Sequence, residues 1–125
     1  METILQYAGR ILLGGYFLVG GFNHFSKAEA MSGYARAKGV PASKAAVLFS
    51  GFLLLLGGAS ILSNLYPLIG LSALVLFLIP VTFKMHAFWA VDDANGKMSE
   101  MTQFMKNMAL LGAVLVLLAG SQLSI

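Results

Sequence analysis

The chain has 125 residues, of which 58% are hydrophobic and 10% are charged, and its formal net charge is +3. A soluble domain usually carries about 25% charged residues, so this composition excludes an ordinary soluble core and is typical of a protein dissolved in lipid. No cysteine is present, which excludes disulfides and thiolate metal sites, and the basic residues form no run, which excludes a typical nucleic-acid partner.

Four apolar segments are each close to the length of about 20 residues that a membrane-spanning helix requires. Their apolar runs are continuous rather than alternating, which disfavours strands. We therefore predict an all-α polytopic membrane protein, a four-transmembrane-helix bundle that forms one domain over residues 1–125. The predicted helices cover residues 4–25, 45–65, 67–85 and 104–123.

Polar and small residues recur at intervals of seven along the first two segments, so they share one face of each helix. Small and polar residues line contacts between transmembrane helices, so we expect these faces to point inward. Arg10, Tyr16 and Asn64 are predicted to be polar residues of the bundle interior, with Asn64 as a candidate partner of Arg10. The alternative for Arg10 is a side chain that extends to the membrane surface.

The three connections between the predicted helices are expected to have different structures. Residues 26–43 have an Ala-rich middle, which predicts a short interfacial helix ended by Gly39. The turn around residues 64–67 is tight and predicts an antiparallel helical hairpin. Residues 87–103 are polar and rich in turn-forming residues, so we expect a solvent-exposed loop there.

Seven of the eight basic residues fall on the side of the first and third loops, and Arg10 is the only one nearer the other side. Cytoplasmic loops of membrane proteins carry an excess of Lys and Arg. We therefore predict a multi-pass protein of the cytoplasmic membrane of the cell with both termini extracytoplasmic.

Polar side chains gather at the loop side of the predicted bundle. His24 closes the first helix, His86 closes the third, and Lys106 and Asn107 open the fourth. Together with Trp89 they predict a cationic, aromatic-walled pocket for an anionic or quinone-like head group. The alternative is that the lysines bind anionic lipid and that Trp89 belongs to the interfacial aromatic belt.

No metal site is predicted. The spacing of the two histidines is not diagnostic of ligands, and Asp92 and Asp93 are the only carboxylates expected near them. The methionines are more typical of packing than of a copper site.

Short motifs in a fixed order then indicate a family. They are Gly9-Arg10-Ile11-Leu12-Leu13-Gly14, Gly39-Val40-Pro41, His86-Ala87-Phe88-Trp89 and Phe104-Met105-Lys106-Asn107. With these motifs the chain resembles the DoxX family of small four-helix membrane proteins. The resemblance implies a link to quinone-coupled sulfur oxidation or to other membrane redox complexes. Arg10, His86, Lys106 and Asn107 match the family pattern, whereas Leu54 stands where many members carry a glutamate.

Two functions are compatible with the sequence. The first is a quinone-interacting subunit of a membrane redox complex, in which His24, His86 and Lys106 hydrogen-bond the quinone and Trp89 stacks on its ring. The second is a non-catalytic scaffold or chaperone that binds other transmembrane proteins through Gly and Ala faces. The expected partners are the lipid bilayer, membrane redox or other membrane proteins, and a second copy of the chain; quinone is the one candidate cofactor. The sequence does not determine whether the chain is an enzyme.

Overall fold

The computed structural model describes residues 2–121. This part of the chain is helical and contains no strand, which confirms the all-α class. The predicted count of four helices is not exact, because a short helix and a 3-10 turn accompany the four long helices. The elements are α1 (Glu2–Ser26), α2 (Ala28–Ala37), α3 (Ser43–Ser63), α4 (Pro67–Met85), a 3-10 turn (Phe88–Ala90) and α5 (Ala94–Gly120).

Three stretches within the described residues are long and apolar enough to cross a membrane, namely Ser43–Ser63, Pro67–Ala90 and Ala94–Gly120. The first helix is not among them. At about 1.5 Å per residue its 25 residues are long enough for a bilayer core of about 30 Å. Arg10 and the polar pair Asn23 and His24 lower the hydropathy of α1.

The long helices alternate in direction along the chain, with α1 against α3, α3 against α4, and α4 against α5. A core of large apolar side chains runs between them and includes Phe17, Leu54, Leu74 and Val114. The alternation brings the end of α1, the start of α3, the end of α4 and the start of α5 to the same end of the bundle. We call this end, which also carries α2 and the 3-10 turn, the loop end.

Glycines set the close approach of α1 and α3. A Cβ atom placed on Gly58 would lie 2.9 Å from both the Gly14 carbonyl oxygen and the Leu18 backbone nitrogen. A Cβ on Gly21 would lie 3.0 Å from the Gly51 carbonyl oxygen. The two helices therefore meet backbone to backbone, because a side chain at these positions would push them apart.

The short helix α2 ends where the sequence predicts, at Gly39, whose φ is +84°. The Gly39 N–H donates to the Arg36 carbonyl (3.0 Å) and the Val40 N–H donates to the Ala35 carbonyl (3.1 Å). This pair of bonds is a Schellman motif, which needs a left-handed residue that glycine adopts without strain. The helix itself is confirmed.

The last helix begins at Ala94 rather than at residue 104, so the prediction of an exposed loop over residues 87–103 is wrong for its second half. The side chain of Asp93 caps this helix by accepting a hydrogen bond from the Gly96 N–H at 2.7 Å. An aspartate at the N-cap stabilises a helix by about 1 kcal/mol, which offsets the poor helix propensity of Asn95 and Gly96. Residues 122 and 123 of the predicted helix lie outside the described part of the chain.

Candidate functional site

A cavity of about 270 Å³ lies within the bundle toward the loop end. Every α-helix contributes to its wall, which is largely apolar. The polar side chains that line it are Tyr16, His24, Tyr34, Ser50, His86, Lys106 and Asn107. Four of the five residues predicted to bind a ligand therefore lie on one cavity, and they come from α1, α5 and the residue after α4.

His24 lies in the last turn of α1 and is held by its own helix. Its Nδ1 is 2.8 Å from the carbonyl oxygen of Gly20, one turn earlier. The edge of the ring packs against Phe77 of α4, with ring centroids 5.8 Å apart. These two contacts determine how the imidazole is oriented at the cavity wall.

His86 is the first residue after α4, and its position depends on a residue of α5. Its Nδ1 lies 3.2 Å from Oε1 of Glu100, a carboxylate that is only 7% exposed. Burying a carboxylate is costly unless it is paired and hydrogen-bonded. Glu100 meets this requirement, so it is a structural anchor for His86.

Two residues of α2 complete the surroundings of Glu100. The Tyr34 hydroxyl donates to both carboxylate oxygens, at 2.9 and 2.8 Å, and Lys38 forms an ion pair with Oε2. Burial and the hydrogen bond to Glu100 raise the pKa of Tyr34, so its hydroxyl remains a donor. We call Tyr34, Lys38, His86 and Glu100 the Glu100 cluster; it ties α2, the end of α4 and α5 together.

Glu100 is missing from the sequence prediction because residues 87–103 were expected to be an exposed loop. A signal for it is present in the spacing. Glu100, Asn107 and Val114 are seven residues apart and are 7%, 5% and 0% exposed, so they lie on one buried face of α5. If the last predicted helix is extended toward its N-terminus, the position seven residues before Asn107 falls on the same buried face. That position is Glu100, so the spacing predicts a carboxylate inside the protein.

Asn107 and Lys106 occupy different surroundings although they are neighbours in sequence. Asn107 is 5% exposed and lines the cavity, and within residues 2–121 its side-chain amide forms no hydrogen bond. Lys106 is exposed; its Nζ donates to Gln103 at 2.7 Å and lies 5.7 Å from the centre of the Tyr16 ring. Asn107 is therefore the buried polar group with hydrogen-bonding capacity to offer a ligand.

Trp89 is not placed at the cavity, contrary to its predicted role in stacking on a ligand. It lies in the 3-10 turn after α4 and is 54% exposed. Its ring packs edge-on against Phe88 and Phe104, with centroids 5.1 and 5.7 Å away. The turn directs the indole to an aromatic group on the outside of α4 and α5, a position typical of an interfacial anchor.

The other predicted interior polar residues lie at the opposite end of the bundle or near the surface. Arg10 is half-buried and donates from Nη1 to the Ile61 carbonyl at 2.9 Å rather than to Asn64. Asn64 is exposed because it ends α3 in the left-handed conformation, with φ of 59°. Tyr16 is 46% exposed although it also lines the cavity. The prediction of an interior position is therefore wrong for Asn64 and Tyr16.

The carboxylates considered for a metal site lie elsewhere. Asp92 and Asp93 are both exposed, and Asp93 caps α5. The carboxylate that lies beside His86 is that of Glu100 instead. Among residues 2–121 no three His, Asp or Glu side chains are grouped closely enough to hold a metal ion.

Comparison with known proteins gives one match. The family model described as DoxX matches residues 5–87, which is more than half of the chain and runs from α1 to just beyond His86. No curated protein and no solved structure matches the chain. The matched region contains Arg10, His24 and His86, whereas α5, with Glu100 and Asn107, lies beyond it.

Proposed function

We propose a ligand-binding function for this chain, which belongs to the DoxX family and is a multi-pass membrane protein. In this proposal the cavity at the loop end receives the oxygen-bearing ring of a quinone-class molecule, and the chain acts as a subunit of a membrane redox complex. The observation that carries it is the cavity on which His24, His86 and Asn107 converge from three parts of the fold.

The composition of the wall suits such a ligand. Small-molecule sites are mostly apolar concavities with a few placed polar groups, as this cavity is. Phe17, Leu54, Phe77 and Leu78 supply apolar contacts for a ring, while the histidines and Asn107 supply hydrogen bonds to its oxygens. The volume of about 270 Å³ lies just below the usual range of about 300 to 1,000 Å³. It is suited to one ring, with any long tail left in the lipid.

The unbonded amide of Asn107 provides a test that separates binding from folding. We expect Asn107→Leu to weaken binding of decylubiquinone to the protein in nanodiscs by roughly fivefold to tenfold, since a hydrogen bond is worth about 1 kcal/mol. The melting temperature should change little, because the Asn107 amide faces the cavity and the leucine of similar size removes no hydrogen bond within the described part of the chain. Titration calorimetry and thermal melts measure the two quantities.

The matched control for that experiment is Asn95→Leu, which makes the same chemical change at an exposed position in the first turn of α5. It should leave the affinity unchanged. Equal affinities for wild type and Asn107→Leu would show that the ligand does not use the cavity. Absence of binding of both decylubiquinone and its reduced form, decylubiquinol, to wild type would overturn the proposed function itself.

We further propose that the loop end faces the cytoplasm, with both termini outside. Six of the basic residues assigned to this side lie on or beside α2, the start of α3 and the start of α5, and Lys84 lies in the last turn of α4. A reporter enzyme inserted between Val91 and Asp92 should therefore behave as cytoplasmic, and one fused after Ile125 as extracytoplasmic. The reverse pattern would place the cavity near the outer surface.

A second candidate function, a scaffold for other transmembrane helices, is favoured by one observation on α5. A Cβ atom on Gly112 would meet nothing within 4 Å, and Ala109 and Ala119 are also exposed. This small-residue face of α5 is therefore open on the surface of the bundle. Gly14, Gly21, Gly51 and Gly58, by contrast, are already occupied by contacts between α1 and α3, so in this proposal a partner helix docks on α5.

A further inference from the structure

The protonated nitrogen of each cavity histidine follows from its hydrogen-bond partner. Nδ1 of His24 lies 2.8 Å from the Gly20 carbonyl oxygen, which can only accept a hydrogen bond. Nδ1 must therefore carry the proton, and in a neutral imidazole Nε2 then carries a lone pair. His24 can offer the cavity an acceptor but no donor.

The same reasoning applies to His86. Its Nδ1 faces the carboxylate of Glu100, which already accepts from Tyr34 and is paired with Lys38. A carboxylate in an ion pair with lysine is ionised and accepts only, so Nδ1 of His86 also carries the proton.

Burial has the largest influence on the charge of His86 and disfavours the protonated imidazole. The hydrogen bond and negative charge of Glu100 favour the protonated form, but Glu100 is already paired with Lys38. Lys106 and Lys38 both disfavour a further positive charge on His86. His86, which lines the cavity, therefore keeps an Nε2 lone pair as a hydrogen-bond acceptor, as His24 does.

We infer that the cavity selects the reduced, hydroxyl-bearing form of its ligand, a hydroquinone or a related phenol, over the corresponding quinone. This inference rests on the proposed function. Hydroxyl groups donate hydrogen bonds to the two Nε2 lone pairs, whereas quinone carbonyl oxygens would face those lone pairs without a shared proton. Asn107 does not discriminate, because its amide both donates and accepts.

The inference is tested by comparing decylubiquinol with decylubiquinone under anaerobic conditions in nanodiscs. The quinol should bind at least fivefold more tightly. Equal binding, or tighter binding of the quinone, would overturn the inference while leaving the proposed function in place. If neither form binds, the proposed function fails and the inference fails with it.

A variant of Glu100 tests whether this residue positions His86. In Glu100→Gln the side-chain amide both donates and accepts, so it no longer fixes the proton on Nδ1 of His86. The preference for quinol should fall by at least half in Glu100→Gln and stay unchanged in the control Glu29→Gln, whose carboxylate is exposed. A purely structural role predicts equal weakening of both ligand forms, which would contradict the assignment.

A measurement without ligand completes the test. The chain has two histidines, so the ¹⁵N spectrum of protein labelled at histidine reports on His24 and His86 alone. Both imidazoles of the wild type should show the signature of a protonated Nδ1 and an unprotonated Nε2 at neutral pH. The opposite tautomer, or a doubly protonated ring, at either residue would overturn the inference whether or not a quinone binds.

Discussion

Gly58→Ala is expected to destabilise the protein by about 1 to 3 kcal/mol, the usual cost of inserting a carbon into a packed interface. The added Cβ would lie 2.9 Å from the backbone atoms of Gly14 and Leu18 on α1. Backbone atoms cannot rotate away as the end of a side chain can, so α1 and α3 would have to separate. Thermal unfolding in detergent, followed by the loss of helical circular dichroism, measures the effect.

The neighbouring pair of glycines on α1 provides a matched control. A Cβ on Gly15 meets nothing within 4 Å, whereas one on Gly14 lies 3.0 Å from the Gly58 carbonyl oxygen. Gly15→Ala should be neutral or stabilise by about 0.5 to 1 kcal/mol, because alanine is the better helix former. Similar melting temperatures for Gly15→Ala and Gly58→Ala would show that the two helices do not touch in this register.

The second large effect is expected for Glu100→Ala, which removes the shared acceptor of the Glu100 cluster. Tyr34, Lys38 and His86 would each lose a partner. Hydrogen bonds to a charged group are worth about 1.5 to 3 kcal/mol each. The Lys38 side chain is 25% exposed and regains hydration, so we expect a net loss of about 2 to 4 kcal/mol.

The loss should be accompanied by loosening of α2, since Tyr34 and Lys38 join this helix to α5. Limited trypsin digestion, which cuts after Arg36 and Lys38, should be faster in Glu100→Ala than in wild type. Glu29→Ala is the control, because it also removes a carboxylate bonded to a lysine, Lys44, but on the exposed surface. Equal digestion rates and melting temperatures for the two variants would rule out an anchoring role for Glu100.

The helices themselves are well predicted from the sequence, because apolar length is a local property. The first three predicted spans end within a few residues of α1, α3 and α4, and glycine ends α2 where its left-handed conformation is needed. The start of α5 is not predicted. Asp93, Asn95 and Gly96 are typical of a turn, and only the capping bond from Gly96 to Asp93 shows that a helix begins there.

The candidate site, too, is predicted from the sequence only in part. His24, His86, Lys106 and Asn107 can be assigned to one end of the bundle by counting residues along antiparallel helices, and the structure places them along one cavity. Trp89 lies at that end as well but packs on the outside against Phe104.

By itself the sequence determined the helical class, three apolar segments long enough to cross a membrane and the end of the bundle at which His24, His86, Lys106 and Asn107 lie. These follow from apolar length and from the fixed rise of about 1.5 Å per residue. The tertiary structure decided which way each side chain faces and what it contacts. Arg10 donates to a carbonyl oxygen of α3, and Trp89 packs on the outside of the bundle. Glu100 is buried and contacts Tyr34 and Lys38. Such contacts depend on how neighbouring helices are rotated and spaced relative to one another. Packing between residues that are distant in sequence sets this geometry, so no local sequence pattern predicts it.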